Sequence, residues 1–173
     1  FCSGYFPDVD DREWNLGYDL GLEDPDELRT VANLQIICIH PDYRGYGLGL
    51  RMSSTVVGII RRLNRYQHLC ATASPYNYWS LNILLNCGFG IRSIKLKYGG
   101  KLRCIAYQNL ARPDVFPETP EAIAVRLTDI ARQEELLKQG YIGVRIQAIP
   151  GFVPPTRLDY AEGYELLFAK ARP

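Results

Sequence analysis

The densest chemistry in this chain sits at Arg44-Gly45-Tyr46-Gly47-Leu48-Gly49, an arginine followed by three glycines in five positions. A glycine-rich loop that opens a helix lets backbone N–H groups come close to an anion, and the helix adds its own unpaired donors. Phosphate is the anion such loops usually take, but two phosphate loops fail on named residues. A Walker A loop needs Gly-Lys followed by Ser or Thr, which occurs nowhere here. A dinucleotide fingerprint needs G-x-G-x-x-G with an acid about 20 residues on. Here the spacing is G-x-G-x-G, and no acid follows before Asp114. A second group is Asn77 with Ser80, ahead of Gly88-Phe89. Taken alone, Asn77 reads as a helix N-cap. Cys38 and His40 share one strand face at i, i+2, but a thiol in a buried strand is usually inert packing.

The elements that must hold these residues follow from pattern. Leu34–Ile39 is a short apolar run stopped by Pro41 and suits a strand buried on both faces. Behind the glycine loop, Leu48, Met52, Val56, Ile59 or Ile60, and Leu63 repeat along one helical face. His68–Ala73 reads as a second buried strand. Leu81, Leu84 and Leu85 mark a short helix that Gly88 ends. Residues 91–98 and 101–110 form a hairpin across a two-residue Gly99-Gly100 turn. Upstream, residues 1–6 suit the end of a strand and 26–32 a short helix. After Arg112 the prolines mark a connector. Beyond it a helix capped by Thr119 with Pro120 at its first position carries Ile123, Leu127, Ile130 and Leu137 inward. Residues 141–148 and 164–170 read as strands. The expected class is α/β, with parallel neighbours at the glycine loop and antiparallel pairing after it.

Composition narrows the partners. With 47% hydrophobic and 23% charged residues, the chain is a globular protein rather than an acidic or basic tail. No apolar run is long enough to span a membrane. The opening FCSGYFPDVDD lacks the basic and apolar blocks of a secretory leader. Five cysteines without a CxxC, and only two histidines, argue against a disulfide framework and against a metal site. Reduced thiols in a cytoplasmic protein are expected. The net charge of +1 hides a segregation: residues 1–34 carry nine acids and two bases, whereas 35–112 carry eleven bases and one acid, Asp42. Such a middle suits a polyanionic ligand, or pairs in space with the acidic start.

Ile39-His40-Pro41-Asp42-Tyr43 and the loop through Gly49 together resemble motif A of the GNAT superfamily of acyl-CoA-dependent N-acyltransferases. Arg44, Gly47 and Gly49 occupy its Arg/Gln-x-x-Gly-x-Gly/Ala positions. Asn77-x-x-Ser80 with Gly88-Phe89 resembles motif B of the same superfamily. The resemblance covers roughly residues 34–110. It implies a GNAT fold, a mixed sheet with two splayed strands, in residues 1–112. A C-terminal helix-strand extension of unstated role would follow in 113–173. The family normally has more strands and helices before motif A, so the N-terminal part is expected to be missing or abbreviated.

The resemblance further implies acetyl-CoA or another acyl-CoA as co-substrate and direct transfer of the acyl group to a primary amine. Its pyrophosphate would lie over Arg44, Gly45, Tyr46, Gly47, Leu48 and Gly49. The pantetheine arm would lie between 34–39 and 68–73, near Asn77 and Ser80. Backbone N–H of Cys38 or Ile39 would polarise the thioester carbonyl. Both helper positions depart from the family pattern. The carboxylate near the start of the motif A strand is replaced by the amides Asn33 and Gln35, and the tyrosine expected seven residues after Asn77 is Leu84. Asp19 or Glu23 is then the candidate base, and Tyr76 or Tyr78, with Tyr78 preferred, the candidate acid. The missing helpers keep open a non-catalytic acyl-CoA-binding module. The acidic start suggests a cationic amine acceptor, and nucleic acid is disfavoured because the bases are not interleaved with aromatics.

Overall fold

The computed structural model describes residues 1–113, 122–152 and 161–171. One mixed eight-stranded sheet runs through them. In chain order its strands are β1 (Cys2–Tyr5), β2 (Val31–Ile37), β3 (His68–Ala73), β4 (Gly90–Lys97), β5 (Lys101–Asn109), β6 (Ile123–Arg126), β7 (Ile142–Ala148) and β8 (Tyr164–Ala169). In space the order is β1-β2-β3-β5-β4-β7-β8-β6. The α-helices among the described residues are α1 (Pro25–Leu28), α2 (Leu48–Arg62), α3 (Tyr78–Asn86) and α4 (Ile130–Lys138). None is long and apolar enough to cross a membrane.

The pair β2–β3 is parallel and the other pairs are antiparallel. This is the mixed topology that the order strand, glycine loop, helix, strand, helix, hairpin requires, since α2 makes the crossover that a parallel pair needs. One face of the sheet packs under α2 and α3. There Ala32, Leu34, Leu69 and Ala71 meet Val57, Ile60, Leu81 and Leu84. The opposite face carries Val31, Cys70 and Ile105 under Leu16 of the N-terminal segment. That segment is pinned by Asn15, fully buried, whose Nδ2 donates to the carbonyl of Leu28 at 3.2 Å.

Several boundaries differ from the sequence expectation for physical reasons. β2 starts at Val31 and ends at Ile37, so Cys38 and His40 lie beyond the strand, and Cys38 is exposed. The buried residues of α2 are Ser53, Val57 and Ile60, while Leu63 and Ile59 face solvent. The inward face is therefore turned by about one position from the apolar stripe. The hairpin between β4 and β5 turns over three residues, Tyr98-Gly99-Gly100, all with positive φ. Ile123 and Leu127 do not begin a helix. Ile123–Arg126 is β6, paired with β8, and α4 starts only after Asp129, whose side chain accepts from the N–H of Arg132. Thr119 and Pro120 lie outside the described residues. The C-terminal strands continue the same sheet, joined where Ile91 pairs with Gly143. A Cβ on Gly143 would stand 2.8 Å from Leu166 Cδ2 and 3.1 Å from Ile91 Cβ, so only glycine lets β7 approach this closely.

All five cysteines are free thiols. Burial pushes the thiol of Cys70 far up and that of Cys104 up to about 12, so neither forms the reactive thiolate near neutrality. In the folded protein a small alkylating agent should label exposed Cys38 first. Cys70 and Cys104 should react only at the rate of global opening. Peptide mapping over time checks this, and early labelling of Cys104 would contradict the packing described.

Candidate active site

β2 and β3 pair only from Val31↔His68 to Leu34↔Ala71. Past that point each strand follows its other neighbour. β3 stays paired with β5 as far as Ala73↔Cys104, and β2 stays paired with β1 as far as Cys2↔Ile37. The β1–β2 register shifts between Ser3 and Gly4, which pair with Ile36 and Leu34 and leave Gln35 as an extra residue. A bulge bends its strand and adds twist. It falls where the parallel pairing stops, and so it turns the end of β2 away from β3.

The opening is a groove of about 360 Å³, within the range of small-molecule sites. It lies at the carboxyl ends of the strands, on the side where open α/β sheets hold ligands. On the α2–α3 face it is lined by Leu34, Ala73, Ser74, Asn77 and Ser80. On the other face Trp14, Asn33, Thr72, Tyr98 and Arg103 line it, together with Ile36, which the bulge at Gln35 turns to that side.

The backbone of β2 presents hydrogen-bonding groups to this gap. Cys38 N–H donates to Phe1 O at 2.8 Å, and Phe1 N donates back to Cys38 O at 3.0 Å. That makes Phe1↔Cys38 a hydrogen-bonded pair, so the next pair, Cys2↔Ile37, is non-hydrogen-bonded. Ile37 N–H and C=O therefore point away from β1, into the gap. The sequence expectation placed the free donor at Cys38 or Ile39. Cys38 N–H is engaged by Phe1, Ile37 N–H faces the gap, and Ile39 N–H meets no backbone acceptor among the described residues.

The glycine loop stands beside this gap. Among the described residues, the N–H groups of Gly45, Tyr46, Gly47, Leu48, Gly49 and Leu50 meet no backbone acceptor. Gly47 caps α2 in the left-handed conformation, φ 69, with open space where a Cβ would be. A Cβ on Gly49 would lie 2.7 Å from Ile83 Cδ1 and 3.9 Å from Ile37 Cγ2. The start of α2 is thus seated between α3 and the end of β2. Arg44 is exposed, and its Nε donates to Ile39 O at 3.2 Å, which holds the loop to the chain leaving β2. Tyr46 is 73% exposed. Asn77 caps α3 by accepting from Ser80 N–H at 3.0 Å, worth about 1 kcal/mol. Its Nδ2 makes no hydrogen bond among the described residues, and both Asn77 and Ser80 line the groove.

None of the four acid–base candidates lines this groove, and Tyr76 is exposed on the turn before α3. Asp19 faces a separate, smaller groove of about 300 Å³ beside His68, Arg92 and Tyr107. There it is largely buried and paired with Lys97 Nζ at 2.8 Å and Lys95 Nζ at 3.5 Å. Glu23 is exposed on the loop before α1. Tyr78 stacks on Tyr164 of β8, ring centroids 3.7 Å apart. Burial, and then Tyr164 itself, raise its phenol above the ordinary range. Trp14, Tyr98 and Arg103 line the groove without a sequence signal of their own. Arg103 becomes readable only once the hairpin register is known.

No family model matches the chain, and no curated protein does. Among solved structures it is similar to an aminoglycoside acetyltransferase, AAC(6')-Ib, in complex with coenzyme A. The identity is 16% and the TM-score 0.43, over 47% of this chain and 46% of that one. The match thus spans about half the length of either chain.

Proposed function

We propose that this chain is a GNAT-type acyltransferase that binds acetyl-CoA, or another acyl-CoA, and passes the acyl group to a primary amine. The carrying observation is the opened β2–β3 pair with Ile37 N–H turned into it, next to a loop of unpaired N–H groups. The donors suit the ligand's parts. The loop from Arg44 to Gly49 and the start of α2 would hold a pyrophosphate through backbone N–H groups and the positive helix end. Asn77 Nδ2 and the free edge of β2 would take the amide-bearing arm as a strand takes a partner. Residues 1–112 would carry this site. The C-terminal strands would brace it, since Tyr164 stacks under the first residue of α3. Free thiols fit a cytoplasmic setting.

Ile37 N–H, with Ile39 N–H beyond it, would donate to the thioester oxygen as negative charge develops there. The amine nitrogen forms the new C–N bond, the C–S bond breaks, and CoA leaves as thiolate and is protonated by the proton the amine gives up. Asn33 is 3% exposed and its Nδ2 donates to Trp14 O at 2.6 Å. Its Oδ1 has no partner among the described residues. An amide oxygen there can orient an amine N–H but cannot take its proton. Among the described residues, the groove lining holds no carboxylate and no histidine. That lining also supports a second reading, a module that binds acyl-CoA without turnover; release of free thiol in the presence of an amine panel separates the two.

Two outcomes are expected. Gly47→Asn and Gly47→Asp should strain the αL cap about equally, because both side chains tolerate it better than other non-glycine residues. Only the aspartate sets a charge against the phosphates, so it should bind CoA at least tenfold more weakly than the asparagine variant by calorimetry. Equal affinities would place the pyrophosphate elsewhere. With no carboxylate or histidine among the described residues lining the groove, log kcat/KM should climb with pH at unit slope to the acceptor's own ammonium pKa. An acceptor of different basicity should move the break by the difference between the two. A break fixed near neutrality for every acceptor would reveal a base on the protein.

A further inference from the structure

The acceptor side of the groove carries a cation that the cofactor reading does not use. Arg103 sits on β5 between Leu102 and Cys104. Cys104 belongs to the core under α2 and α3, so alternation along the strand puts Arg103 on the opposite face, with Ile105. The glycine loop and its helix lie on the other side of the sheet. A phosphate held there is not the partner of Arg103.

The only side-chain hydrogen bond of Arg103 among the described residues is Nη1 to the carbonyl of Leu102, at 3.2 Å. No described carboxylate lies within ion-pair distance of it. Its cross-strand partner is another cation, Lys95. Asp19 is already engaged by Lys95 and Lys97. A guanidinium lining a groove beside two cations, with the local acid taken, offers an anion a planar fork.

Beside it stands an aromatic wall. Trp14 and Tyr98 stack with centroids 4.7 Å apart at 29°. Tyr98 holds φ 52, a left-handed conformation that bulky residues seldom adopt. Such strain persists where the surroundings over-determine it, and it tends to mark ligand sites. Here it places the ring against Trp14 in the groove wall. Below the wall lies the buried, unpartnered Oδ1 of Asn33.

We infer that the acceptor is an amine that also bears a carboxylate, an amino acid with an apolar or aromatic side chain. Arg103 grips the carboxylate, Trp14 and Tyr98 pack against the side chain, and Asn33 Oδ1 orients the attacking amine. A single guanidinium fork matches a carboxylate better than a phosphate dianion, which draws several donors. The inference rests on the acyltransferase reading and narrows its acceptor to a zwitterion rather than a polycation. No acid of the net-negative start lines the groove.

The test is calorimetry on the CoA-loaded protein with phenylalanine and with phenethylamine, its counterpart without the carboxylate. The two are then compared in acetyl-CoA turnover. Phenylalanine should bind at least tenfold more tightly and be acetylated in preference. A charge-assisted fork carries a preference of about 10- to 100-fold. Arg103→Gln should collapse that ratio toward one. Arg103→Lys, which keeps the charge but not the fork, should restore part of it. The thermal midpoint of each variant shows that it is folded. The inference is overturned if phenethylamine binds as well as phenylalanine, if the ratio survives Arg103→Gln, or if no carboxylated amine binds to a protein that holds CoA. In the last case the cofactor reading stands. A wild-type protein that does not bind CoA at all defeats the reading and the inference together.

Discussion

Everything at the site depends on where β2 and β3 stop pairing. Parallel strands gain by continuing their ladder, because each unpaired N–H or C=O removed from water without a partner costs on the order of 1–3 kcal/mol. Here both strands give up that ladder after Leu34 and Ala71 while remaining paired on their outer sides. The extra residue at Gln35 makes this tolerable: it turns β2 toward β1, and the two strands diverge without either losing its other neighbour. The groups left over, Ile37 N–H and C=O, face a groove where a ligand can pair with them.

The rest of the molecule holds that opening in shape. On one face α2 and α3 close it from behind, and the contact between Gly49 and Ile83 sets the loop at its rim. On the other face the N-terminal segment lies over the sheet. It is held by Asn33 to Trp14, by Asn15 to Leu28 and by Lys97 to Asp19. The charge segregation of the sequence is partly spent in this packing. Asp19 pairs with two of the eleven bases of the middle segment, so the acidic start works in part as a clamp on the hairpin.

The glycine loop and the Asn77 cap were legible in the sequence because backbone conformation dictates residue type there. An αL cap selects Gly47, and an N-cap selects Asn77. The alternation of buried strands and the one crossover helix were legible for the same kind of reason. Exact phase was not. The apolar stripe of α2 includes Leu63 and Ile59, which tertiary packing leaves in water, and β2 starts three residues before its most apolar stretch. The spacing of Ile123, Leu127 and Ile130 fits one continuous helix, and only pairing with β8 makes Ile123–Arg126 a strand and delays α4 to Ile130. The aromatic wall of the groove was invisible. Trp14, Tyr98 and Arg103 come from three separate segments, and their meeting is set by the bulge, the three-residue turn and the hairpin register, all of them long-range outcomes.

The most direct measurement is a crystal structure with a non-hydrolysable acetyl-CoA analogue. The account predicts the pantetheine arm between the ends of β2 and β3, the carbonyl oxygen within about 3 Å of Ile37 N, and the pyrophosphate over Gly45 to Gly49. An analogue bound elsewhere, with Ile37 N–H left facing an empty gap, would contradict it.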